Sequence, residues 1–300
     1  MTVIGIPDGV VPGDVWHDHV AHSVPNLDAA KARLEQLGFQ LTPQSNQLGG
    51  TPLAETGMAN RCVMLREGYL EITGAITDEP RPAVVAFRAG LARHVGLHLM
   101  ALGTLDPARE AARLEAAGLG PAVLHRTQRM IGTEDGEGLA RFTVVVTPRD
   151  HFPEARMPLV LQETPPLVFQ PRWLDHANGA IGVDEVVAVV PDPAESAQRF
   201  TRFTGVAAAP AGQGLALDFA RGRFTLLPLA AAGVFAPLPP LPCLVAHVVK
   251  VADLDTLERL LAQNGVVTRP AGVGCVAVDG GPTLGGVIVF RGPDGVPAWR

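Results

Sequence analysis

One pattern of apolar and polar positions recurs four times along the chain. Asp18 to Asn26 (DHVAHSVPN) is a short β-type run closed by Pro-Asn. The next eight residues carry apolar side chains at helical spacing, with Asp28 as the expected cap and Gly38 as the stop. Asp184 to Asp192 (DEVVAVVPD) aligns with that run without a gap, and Gly222 to Thr225 matches Gly68 to Glu71. His98 to Asp106 precedes a helix predicted over 107–117, and His247 to Asp255 precedes one over 256–263. Short β-type runs follow each helix, so each unit reads β-α-β-β-β.

A single unit leaves one face of its sheet uncovered and must pair with another. The pattern predicts an α+β fold of four βαβββ modules in two paired, cup-shaped halves, residues 14–168 and 180–300, joined through 173–182 (WLDHANGAIG). His19 and His98 lie 79 residues apart, whereas Glu185 and His247 lie 62 apart. The surplus of 17 is expected in loops, chiefly Gln44 to Ala59, where a lid would form.

Composition narrows the function. The chain has 300 residues, of which 47% are hydrophobic, enough for a buried core, and a net charge of −6. No Lys/Arg cluster offers a phosphate-binding stripe, so nucleic acid is not an expected partner. Lys31 and Lys250 are the only lysines, and with abundant Ala, Gly and Pro this suggests a GC-rich bacterial source. Cys62, Cys243 and Cys275 are scattered, which supports neither a zinc-thiolate site nor a disulfide framework. The uncharged stretch 225–246 contains five prolines and reads as strand, Pro-rich connection and strand, not as a membrane span. With no signal peptide read at the N-terminus, a cytoplasmic protein is expected. No GxGxxG, Walker A or GxSxG pattern supports a nucleotide or serine-hydrolase reading.

Paired βαβββ units with a His in the first strand resemble the vicinal oxygen chelate superfamily of glyoxalases, bleomycin-resistance proteins and extradiol dioxygenases. Asp18-His19-Val20, Leu27 to Ala30, Leu37-Gly38-Phe39, Met58 to Arg61 and Gly68 to Glu71 resemble its glyoxalase-like domain branch. The resemblance implies a divalent ion, Fe(II), Mn(II), Ni(II) or Zn(II), at the floor of a cup, with ligands from the first and fourth strands. Strand alternation puts His19, Ala21 and Ser23 on one face and Val20, His22 and Val24 on the other. His19, Glu71 and His98 are then the expected ligands. Gln162 is a fourth ligand or a partner that orients one, standing where relatives often carry Glu. Two imidazoles and a carboxylate suit such an ion and leave positions for two adjacent substrate oxygens.

Asn60, Arg61 and Gln162 are candidate substrate contacts, with Arg61 as a carboxylate or phosphate clamp. Glu71 and His151 are candidate acid–base groups. In the second half the equivalent positions hold Glu185, Thr225, His247 and Val289, so no metal is expected there. The leading expectation is a metal-dependent lyase, isomerase or dioxygenase acting on a small molecule with vicinal oxygens, as a monomer or homodimer. The alternative is a non-catalytic small-molecule binder of the bleomycin-resistance type.

Overall fold

The four repeats fold as four successive units in a computed structural model that describes residues 4–49 and 54–300. The first comprises β1 (Trp16–Ser23), α1 (Leu27–Gln36), β2 (Ser45–Gly49), β3 (Ala54–Met64) and β4 (Tyr69–Ala75). A linking helix, α2 (Pro82–Arg93), leads to β5 (Gly96–Gly103), α3 (Pro107–Ala116), β6 (Val123–Thr133), β7 (Gly136–Val146) and β8 (Leu159–Gln162). After a single turn, α4 (Pro165–Val168), come β9 (Ala180–Val190), α5 (Pro193–Thr204), β10 (Ala209–Ala211), β11 (Gly214–Asp218) and β12 (Arg223–Pro228). The last unit is β13 (Cys243–Val251), α6 (Leu254–Gln263), β14 (Arg269–Asp279), the short α7 (Gly281–Leu284) and β15 (Val287–Pro297). It follows the βαβββ plan with one strand fewer among the described residues.

Each unit helix starts behind a side chain that accepts orphan backbone N–H groups: Asn26 for α1, Asp106 for α3, Asp192 for α5 and Asp253 for α6. The cap of α1 is therefore Asn26, and the expected cap Asp28 lies in the first turn. Gly205 ends α5 at φ 76, a left-handed conformation that a Cβ would strain.

The units pair through their first strands. The first sheet runs β2-β3-β4-β1-β5-β8-β7-β6 and the second β10-β11-β12-β9-β13-β15-β14. In the first, β1 is parallel to β4 and antiparallel to β5, and the edge strands β2 and β6 touch, so the sheet nearly closes into a barrel. The convex faces pack with the unit helices into one core that joins Val20, Val24, Leu34 and Leu114 to Phe200, Leu261 and Phe290. His22 lies in this seam. Its ring meets His247 edge-on at 5.2 Å, and its Nδ1 lies 3.0 Å from the Leu284 carbonyl. His17 is also fully buried, with its ring 5.4 Å from that of Phe219.

The surplus residues of the first half are not simply loop. Much of Gln44 to Ala59 lies in the paired strands β2 and β3, and residues 50–53 between them are outside the described residues. The unexpected element is α2. It occupies the link that in the second half is the Pro-rich 229–242 segment with two 3-10 turns. Among the described residues no helix is long and apolar enough to cross a membrane.

Candidate functional site

The concave face of the first sheet carries every second residue of its central strands. In register across it stand Ala21 opposite Glu71 on β4, and Ala21 opposite Leu99 on β5. These residues line a cavity of about 560 Å³, together with Thr73, His98 and, from α2, Phe87. The volume is that of a small-molecule site. Beyond the cavity the cup is filled by an apolar cluster that includes Cys62, Tyr69, Phe142 and Phe169.

Glu71 sits at the cavity floor, mostly buried. Its Oε1 accepts hydrogen bonds from Asn60 Nδ2 at 2.6 Å, Thr73 Oγ1 at 3.1 Å and Gln47 Nε2 at 3.4 Å. Its Oε2 lies 3.7 Å from His19 Nε2, too far for a hydrogen bond. The His19 ring is held from behind: Nδ1 is 2.6 Å from Asp18 Oδ2, and the ring stacks on Tyr69 with centroids 4.4 Å apart. Asp18 in turn accepts from Gln162 Nε2 at 3.1 Å to each oxygen. Arg129 of β6 donates to Asn60 Oδ1 at 3.3 Å and closes the network across the two edges of the sheet. Burial, with Asp18 and Glu71 nearby, pushes the Tyr69 phenol well above its ordinary value. Burial likewise raises the Cys62 thiol to about 12, so neither is a nucleophile near neutral pH.

The structure thus joins His19, Glu71, Asn60 and Gln162 of the expected residues. His98 stands apart from them. It is the unpaired residue of a β-bulge, because Ala21 pairs with Leu99 and His22 with Leu97. Its Nε2 lies 2.8 Å from the His94 carbonyl and its ring stacks on His94. His19 lies seven residues before its helix cap, Asn26, and the residue seven before Asp106 is Leu99. The place that matches His19 in the second unit therefore carries an isobutyl group, and His98 matches Asp18. Gln162 Oε1 is buried without a hydrogen-bond partner, but its amide is turned to Asp18. No group of three or more His, Cys, Asp or Glu among the described residues is placed to hold a metal ion. The donors present do not make up two imidazoles and a carboxylate.

Two other expectations change. Arg61 points to the helix side of the sheet, where it donates to Asp28 at 3.0 Å, because it alternates with Asn60 on β3. His151 lies in a 3-10 turn with Nε2 3.4 Å from the Gly120 carbonyl, and does not line the cavity. Asp18, Gln47, Thr73 and Arg129 are site residues that the sequence reading missed. Thr73 was available from alternation, two residues beyond Glu71. Arg129 acts across the barrel, which no local pattern reveals.

In the second sheet Glu185 replaces His19 and Thr225 replaces Glu71. Glu185 accepts from Thr225 Oγ1 at 2.5 Å and Trp299 Nε1 at 2.9 Å, and pairs with Arg300. Trp299 packs on Phe235 within that cup, and the carboxylate is neutralised in place.

A family model, the glyoxalase-like domain, matches residues 17–204. No curated protein matches the chain significantly. Among solved structures, a hypothetical protein from Staphylococcus aureus aligns with TM-score 0.66 at 10% identity, covering 93% of this chain and 99% of its own. A mutant of 4-hydroxymandelate synthase from Streptomyces coelicolor aligns with TM-score 0.62 at 15% identity, covering 98% and 95%. The Mn(II)-bound glyoxalase from Novosphingobium aromaticivorans gives 0.54 at 12%, covering 95% and 84%. At these identities the structural likeness speaks for the fold. With the family model spanning more than half of its length, the chain belongs to the glyoxalase-like domain family of the vicinal oxygen chelate superfamily.

Proposed function

We propose that the protein is an enzyme that moves a proton on a small molecule held in the first cup, with Glu71 as the base and His19 as its proton partner. The observation that carries this reading is the 3.7 Å gap between Oε2 of Glu71, which lines the cavity, and Nε2 of His19. Three donors engage Oε1 and leave Oε2 open, and Asp18 holds the imidazole so that Nε2 faces the carboxylate. Two groups so placed can take a proton from one atom of a substrate and return it to a neighbour. Such chemistry serves isomerisation or elimination next to a carbonyl.

A divalent ion would find two of its ligands in His19 and Glu71, but Leu99 offers none, so no step is assigned to a metal. The fully engaged Oε1 also suits a cup that binds without turnover, and this is the second reading. We take the work to be done on a small molecule in the cytoplasm, by a monomer or homodimer.

Deuterium incorporation separates the two. A panel of small carbonyl compounds is incubated with the protein in D2O and followed by proton NMR. The enzyme reading expects exchange at a carbon of at least one compound, abolished in Glu71→Gln and retained in His151→Ala. Binding of a compound without exchange supports the second reading, and exchange that survives Glu71→Gln contradicts the first.

A further inference from the structure

We infer that the first cup takes an organic anion, whose charged oxygens are held by Arg149 and Arg156 in the wall of the cavity that Glu71 also lines. This deepens the proton-transfer reading by naming the substrate class. Three arginines line the cavity, and they are not alike. Arg93, at the end of α2, is engaged by the carbonyls of Pro153, Pro240 and Pro242. Arg149 and Arg156 line the cavity from exposed positions and make no ion pair and no side-chain hydrogen bond among the described residues. The other acidic residue in the wall, Glu154, is taken by a two-pronged pair with Arg199 at 2.8 and 2.9 Å. Glu71 is the lining carboxylate that no Lys or Arg reaches within ion-pair distance among the described residues.

Two guanidinium groups facing one cavity repel each other unless something negative enters. Desolvation, then the charge of Arg149, lowers the affinity of Arg156 for its proton and Glu71 raises it, so the three charges sense one another although both arginines reach solvent. The backbone of Arg156 is fixed against the sheet, and its side chain is free to close on a ligand. Its backbone N–H donates to the His98 carbonyl at 2.9 Å and its carbonyl accepts from Met100 at 3.1 Å, beside β5. Planar guanidinium forks suit a carboxylate or a phosphate. The negative charge of Glu71 repels the anionic end of such a molecule and so turns its other end, where a proton can be lost, toward the cavity floor.

The test is titration calorimetry at low, matched ionic strength with two probes, succinate and inorganic phosphate. At least one is expected to bind once per chain, about ten-fold weaker in Arg149→Gln and in Arg156→Gln, roughly one hydrogen-bonded charge contact each. Glu71→Gln is expected to bind the same anion at least as tightly. Preference for succinate or phosphate tells which oxyanion the wall is built for. No saturable binding of either probe, or binding unchanged in both arginine variants, overturns the inference. If the arginine pattern appears while no compound exchanges deuterium, the anion site stands and the proton-transfer reading falls. If neutral compounds exchange and the arginine variants bind anions normally, the reverse holds.

Discussion

At the residue scale, one position in each strand separates structure from chemistry. The face shared by His19 and Glu71 was legible from the two-residue period of β1 and the match between Gly68 to Glu71 and Gly222 to Thr225. The place of His98 was not legible, because a bulge shifts β5 by one residue and sets Leu99 opposite Ala21. Arg149 and Arg156 were not legible, since loops carry no period. The buried histidines make a prediction about pH. Burial lowers His17 to about 3 and His22 to about 4, while the unfolded chain titrates near the ordinary 6.5. Between those values the unfolded state binds more protons, so this stability is fully present above about 6.5 and is lost as pH falls toward 4. For His22 the full effect is about 3 kcal/mol. Urea denaturation from pH 7 to pH 4 checks it: His22→Phe should show a shallower decline, and an identical slope would contradict the assignment.

At the element scale, the unit helices were legible because their caps and glycine stops are local. Replacing Asn26 by Ala removes the acceptor for two N–H groups of α1 and is expected to cost about 1 kcal/mol, measured by chemical denaturation. The helix α2 was not legible. Its sequence, PAVVAFRAGLAR, is apolar around its circumference without a clear stripe, and only Val84 is fully buried. Tertiary contact makes it a helix: it lies over the cup and contacts β1, β3 and β4. Arg93 fastens its end to Pro153 of one half and to Pro240 and Pro242 of the other. For this partly exposed residue, Arg93→Ala is expected to cost about 1 to 2 kcal/mol. Proteolysis should then cut first near 76–95, and cutting elsewhere would show that α2 is held by other contacts.

At the scale of the whole molecule, the four-unit plan was readable because the repeat is written in strand and helix periods. The union of the two halves was not, because it rests on pairs distant in sequence. Glu154 is fully buried and receives both prongs of Arg199 from the other half. Glu154→Ala leaves that cation without its main partner and is expected to cost about 3 kcal/mol, with the chain still melting in one calorimetric transition. Two separate transitions in the wild type would show that the shared core does not couple the halves. The asymmetry of the two cups is the central result: one is filled around Glu185, and the other keeps a cavity over Glu71, with His19 beside it and Leu99 where a second imidazole would complete a metal site. Ion content measures this most directly. The wild type and Leu99→His are each supplied with Fe(II), Mn(II), Ni(II) and Zn(II), and bound metal is counted per chain. No stoichiometric ion is expected in the wild type and about one in Leu99→His, the number of sites that two imidazoles and a carboxylate provide. One ion per wild-type chain, lost in His19→Ala, would contradict this.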